Sequence, residues 1–176
     1  KINSEDALNI INSKFDLKNI SFSENASDAI DVDFGVGKIT NASFNNIAND
    51  AVDFSGSIVD LNNLKMNTIG DKMVSAGENS VLTITNLTGN KSKIAIASKD
   101  GSLTTLSDII ISNTEVGLAA YKKKNEYTGS NIIAKNIIIN KSKINFLIDD
   151  FSKIILDNKI IINDNLNVEK IINTFK

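Results

Sequence analysis

Cysteine, histidine, proline, tryptophan and arginine are all missing from this chain of 176 residues. Without cysteine there is no disulfide, no thiolate nucleophile and no zinc–sulfur site. Without histidine the commonest general base and the commonest transition-metal ligand are gone. Any chemistry therefore rests on carboxylates, lysine, tyrosine or hydroxyls. All nineteen cations are lysine, and against 21 acidic residues they leave a net charge of −2. That balance gives no electrostatic case for nucleic acid, which calls for a basic face. Apolar runs reach three or four residues, as in Ile137-Ile138-Ile139, too short for membrane insertion. The excess of isoleucine, asparagine and lysine is what an AT-rich coding sequence yields.

What is present is a repeat. Ala7, Ala29, Ala51, Met73, Ala95 and Gly117 follow one another at intervals of 22 residues. The next column, Leu8, Ile30, Val52, Val74, Ile96 and Leu118, is apolar throughout, and Ile10, Val32, Phe54, Ala76, Ser98 and Ala120 are apolar or small. Between them runs Asn9, Asp31, Asp53, Ser75, Ala97 and Ala119. This alternation is the period of a strand with one face inside and one outside. A helical repeat would need i, i+3, i+4 spacing within each copy, which is absent. A second column, Asn19, Asn41, Asn63, Asn86, Asp108, Asn136 and Asn158, recurs at 22, 22, 23, 22, 28 and 22 residues. Stacked coils bring equivalent residues to about 4.8 Å, where one side-chain amide can donate to the next carbonyl. An asparagine ladder is the expectation.

The stretches SDAIDVDFGVGKITNASFNNI, NDAVDFSGS, GDKMVSAGENSVLTITN and IAIASKDGS resemble the right-handed parallel β-helix repeat proteins of the pectate-lyase-like superfamily. The resemblance implies an all-β fold, a right-handed parallel β-helix (solenoid) of about seven coils of about 22 residues, covering residues 1–163. It also implies two sorts of chemistry. Lyases of that superfamily pair a Ca²⁺-binding acidic cluster with an arginine or lysine base, whereas its hydrolases combine close aspartates with a histidine-containing segment. Here arginine and histidine are absent, and the nearest column lysines, Lys72 and Lys99, lie one or two coils from the acids.

Acids gather on the outward side of the early coils: Asp6, Asp28 and Asp50 in one column, Asp31 and Asp53 in another, and Asp33 at the head of a third that continues through Ser55, Gly77, Lys99 and Tyr121. Aspartate at the end of a strand commonly bonds its own turn. In mid-strand, where β propensity disfavours it, Asp31, Asp33 and Asp53 ask for a further reason. An all-oxygen set of this kind suits Ca²⁺, so these three are the candidate metal ligands, with no other cofactor expected. The interval of 28 between Asp108 and Asn136 marks a six-residue insertion after Tyr121, and solenoid insertions project as loops. Lys99, Tyr121, Lys122, Lys123, Lys124 and Tyr127 form the candidate polymer-binding group, with lysine meeting the charges of an anionic polysaccharide and tyrosine stacking on sugar rings.

Near the C-terminus Val168, Ile171, Ile172 and Phe175 fall at i, i+3, i+4 and i+7, an amphipathic helix within residues 164–176 that Asn165 or Asn167 would cap. Such a helix is expected to cover the exposed edge of the last coil. The first coil shows no counterpart. The chain is therefore expected to be the C-terminal part of a longer protein, or to stack end to end as a dimer. The resulting expectation is a non-catalytic, carbohydrate-binding or structural module, extracellular or at the cell surface. The alternative is a Ca²⁺-dependent lyase of uronic-acid polymers.

Overall fold

A computed structural model describes residues 5–163 and 166–175. In chain order its elements are β1 (Asp6–Ile11), β2 (Lys14–Asn25), β3 (Asp28–Asp33), β4 (Val36–Ile47), β5 (Val52–Ser55), β6 (Ile58–Ile69), β7 (Lys72–Gly77), β8 (Val81–Lys99), β9 (Leu103–Tyr121), β10 (Asn131–Asn140), β11 (Ile144–Ile148), β12 (Lys153–Leu156), β13 (Lys159–Ile160) and α1 (Val168–Asn173). The result is a parallel β-solenoid of about seven turns with one short C-terminal helix. Among the described residues no helix is long and apolar enough to cross a membrane.

Each coil has three faces. The first is built by β1, β3, β5, β7, the last part of β8 and β9, and β11, all parallel. The second runs through the opening halves of β2, β4 and β6, the starts of β8, β9 and β10, and β12. The third continues along the closing halves of β2, β4 and β6, the middles of β8 and β9, and the end of β10.

Corners between faces are turned by residues in the left-handed region. Asn19, Asn41, Asn63, Asn86, Asp108 and Asn136 have φ of 55°, 56°, 57°, 56°, 58° and 55°. Asn and Asp tolerate this conformation better than other residues bearing a Cβ. Their amides add coil-to-coil bonds: Asn41 Nδ2 donates to Asn19 Oδ1 at 3.1 Å, Asn63 to Asn41 at 2.7 Å, and Asn136 to Asp108 at 2.6 Å. The series is interrupted at the 23-residue interval, where Asn86 donates to Asn62 instead. A second amide series, unforeseen from the sequence, follows the third face, from Asn67 to Asn45, Asn90 to Asn67 and Asn113 to Asn90 at 2.7–2.9 Å.

Inside the coil the apolar columns meet as the alternation requires. Ile30, Val52, Val74, Ile96 and Leu118 are fully buried, and Phe22 stacks on Phe44 with centroids 5.6 Å apart. The core also holds a column of serines that bonds one coil to the next. Gly35, Ser57, Ser80 and Ser130 donate their backbone N–H to the hydroxyls of Ser57, Ser80, Ser102 and Ser152 at 2.9–3.1 Å. These hydroxyls satisfy backbone donors that would otherwise be buried without a partner.

One expectation is corrected. The C-terminal helix does not lie on the edge of the last coil. There, β13 folds back antiparallel to β12, while α1 packs on the outside of the first face, against Ile94, Ala97, Val116, Ala119 and Leu147. Those outward positions are apolar only in the last coils, so the helix buries its stripe where apolar surface awaits it. Asn167 is its N-cap, accepting from the Lys170 N–H at 2.8 Å, and Asn165 lies outside the described residues.

Replacing Ser80 by alanine leaves the Ser57 N–H without an acceptor in the core. Denaturant unfolding should show a loss of about 1–3 kcal/mol for Ser80→Ala, against a change within about 0.5 kcal/mol for the exposed Ser21→Ala.

Candidate functional site

The outward side of the first face changes character along the solenoid. In the first three coils it carries Asp6, Asp28, Asp31, Asp33 and Asp53; in the fourth Lys72, Ser75 and Gly77; in the last three Ile94, Ala97, Val116, Ala119, Ile144 and Leu147. The acidic half stays open, and the apolar half lies beneath α1.

The column Asp28, Asp50 and Lys72 is structural. Asp28 Oδ1 accepts the Asp50 N–H and Asp50 Oδ1 accepts the Lys72 N–H, both at 2.8 Å, so each carboxylate ties the start of the next strand. The Lys72 ammonium lies 3.3 Å from Asp50 and also pairs with Asp71. Burial raises the Asp50 carboxyl to about 7, with Lys72 pulling the other way. For Lys72 itself burial works downward, but Asp50 and Asp71 outweigh it and hold the ammonium above its ordinary range.

Asp31, Asp33 and Asp53 do share one side of the first face, Asp31 lying beside Asp53 in adjacent strands. Burial, then the charges of Asp33, Asp53, Asp6 and Asp28, push the Asp31 carboxyl up to about 7. Asp33 is raised by burial, then by Glu78, Asp53 and Asp6. Lys99 Nζ stands 4.0 Å from Asp53 Oδ1, so a cation of the chain itself already answers that carboxylate. Among the described residues no three carboxylates converge where a metal ion would be held.

The candidate polymer-binding residues are less exposed than the sequence suggests. Lys99 and Tyr121 occupy neighbouring outward positions as expected, but Lys99 is 8% exposed and Tyr121 3%. Tyr121 joins the cluster beneath α1, so it has no free ring to offer a sugar. Burial raises its hydroxyl above the ordinary range, with Lys72 opposing. The insertion is anchored through its backbone. Asp149 Oδ2 accepts the Lys122 N–H, and Asp100 Oδ1 accepts those of Lys123 and Lys124, all at 2.7 Å. Lys124 pairs with Glu78. Tyr127 is half-buried, its N–H bonded to the Lys124 carbonyl. Lys123 alone in this group stands well exposed.

Helix, insertion and first face together enclose a cleft of about 1170 Å³, whose walls include Lys72, Tyr121, Lys123, Asn125, Phe151 and Ile172. Phe151 was not anticipated. It is 70% exposed, with Lys122 Nζ 5.2 Å from its ring centroid. The apolar column Ile94, Val116 and Ile144, read with the register, marks coils that need a cover, whereas no pattern singled out Phe151.

No protein-family model matches this chain, and no curated protein or solved structure shows significant similarity to it.

The crowding at Asp31 has a testable sign. A carboxyl raised in the folded state keeps its contribution below the unfolded value near 4 and loses it as pH climbs through about 7. Asp31→Asn, which can still accept from Asn9, should unfold about 2–4 °C higher than the parent at pH 8. That is the shift of about 1 kcal/mol left once solvent screening is allowed for. At pH 4 the two midpoints should coincide. A lower midpoint for the variant at pH 8 contradicts the repulsion.

Proposed function

We propose that the chain is a non-catalytic β-solenoid module that binds a segment of polysaccharide, acting outside the cell or at its surface. The observation that carries this reading is the cleft. It is larger than most small-molecule pockets, is lined by amides and charges, and has an exposed aromatic ring, Phe151, on its wall. Sugar rings present apolar faces between hydroxyls, which suits an aromatic plane set among amide donors and acceptors. The stiff solenoid face beneath such a site lowers the ordering cost of binding. The resemblance of the repeats to the pectate-lyase-like superfamily supports a polymer ligand and an extracellular setting.

Pairing with Asp50 and Asp71 makes Lys72 a poor candidate for a base. A lysine base must shed its proton near neutral pH, whereas Lys72 is held charged by Asp50 and Asp71. A second reading, a Ca²⁺-dependent lyase of uronic-acid polymers, draws support from the crowded carboxylates around Asp31, whose repulsion a bound cation would relieve. Under the first reading, millimolar Ca²⁺ leaves the unfolding midpoint unchanged. A rise that disappears in Asp31→Asn and Asp53→Asn would favour the second.

Binding to a printed glycan array tests the module directly. Phe151→Ala should weaken the strongest spots about tenfold, the equivalent of about 1.4 kcal/mol, and leave the unfolding midpoint within a degree or two. Unchanged binding removes the cleft from the reading.

A further inference from the structure

Among the described residues four lysines line the cleft, and three are already engaged. Lys72 pairs with Asp50 and Asp71, Lys93 donates to the Phe175 carbonyl, and Lys122 lies over the Phe151 ring. Among the described residues the Lys123 ammonium makes no ion pair or hydrogen bond, although its backbone N–H is fixed to Asp100. The side chain therefore enters the cleft from an anchored stem with its charge unanswered. Desolvation, then the ammoniums of Lys99 and Lys72, hold Lys123 below its ordinary range against Asp100 and Asp53. A cation in this setting gains most from an anion placed beside it.

The rest of the lining limits how much negative charge the ligand can carry. Asp71, Asp149, Asp150 and Glu169 also face the cleft. Within about 8 Å, roughly the screening length in physiological salt, each would repel a second anionic group. A uniformly charged polymer would bring one such group with every sugar unit.

We infer that Lys123 is an anion subsite of this cleft, taking a single carboxylate or sulfate from an acidic sugar whose neighbours in the polymer are uncharged. The inference rests on the polysaccharide-binding reading and narrows it to a sparsely charged polymer. The uncharged units lie along the Phe151 ring and the amides of Asn125 and Asn173. Lys122 and Lys124 stay with their present partners.

The test titrates the whole chain with sodium sulfate, sodium glucuronate and trigalacturonate, following the lysine ε-methylene signals by NMR. The expected result is a saturable shift at Lys123 with sulfate, glucuronate or both, the stronger of the two identifying the group. Lys123→Gln should weaken that binding at least fivefold, while Lys65→Gln, on the third face, leaves it unchanged. Shifts spread equally over Lys65 and Lys123, or no saturation at Lys123, overturn the subsite. Tighter binding of trigalacturonate than of glucuronate overturns the single-charge limit. The polysaccharide reading fails separately: if sulfate or glucuronate saturates Lys123 but the parent chain binds no arrayed glycan, the subsite stands and the polymer does not. If Phe151→Ala abolishes glycan binding while Lys123→Gln does not, the polymer stands and the subsite falls.

Discussion

Each coil must reverse direction at three corners within about 22 residues, and most of these corners hold one or two residues of positive φ. The rest of the structure depends on that geometry. Of the nineteen non-glycine residues found there among the described residues, ten are asparagine and three aspartate, the side chains that bear a left-handed backbone at least cost. Such short corners keep the intervals nearly constant. Constant intervals let every residue sit above its counterpart and donate its backbone hydrogen bonds to the next coil. The composition bias toward asparagine thus has a conformational role, whatever the nucleotide composition behind it.

Stacking then sorts the remaining side chains. The inward columns supply a continuous apolar core, and the serine column satisfies the backbone donors that the corner before the second face leaves inside. The outward columns are free to vary: on the first face those through Asp28 and Asp31 run from carboxylates to aliphatic residues, while the one headed by Asp33 ends on Lys99 and Tyr121. The acidic coils need solvent and the aliphatic coils need cover. The short helix supplies that cover, and the insertion after Tyr121, pinned by Asp100 and Asp149, closes the other side. The cleft is the space left between two coverings, positioned by the rigid face beneath them.

The repeat made the architecture legible. Columns such as Ile30, Val52, Val74 and Ile96 state both the period and the inward direction, and the register follows them residue for residue. The outward direction of Lys99 and Tyr121 was legible too. Their burial was not, because it is imposed by α1 and the insertion, which stand outside the repeat and leave no trace in its period. Phe151 escaped for the same reason, since it follows the last strand of the first face, where no neighbouring coil repeats it. The serine column at Ser57, Ser80, Ser102, Ser130 and Ser152 was present in the spacing, but a polar residue at fixed intervals reads as surface until the corner geometry turns it inward. The helix itself was legible from its i, i+3, i+4 stripe. Where it docks depended on Ile94, Val116 and Ile144, whose outward direction becomes informative only once the register is known.

The cleft exists because the C-terminal helix lies across the outside of the first face. Methyl NOE spectroscopy on selectively labelled chain measures that placement most directly. Cross-peaks are expected from Val168 and Ile172 to Ile94, Val116 and Ala119. Cross-peaks from those helix methyls to Ile154 and Leu156, at the edge of the last coil, would contradict that placement and remove the cleft altogether.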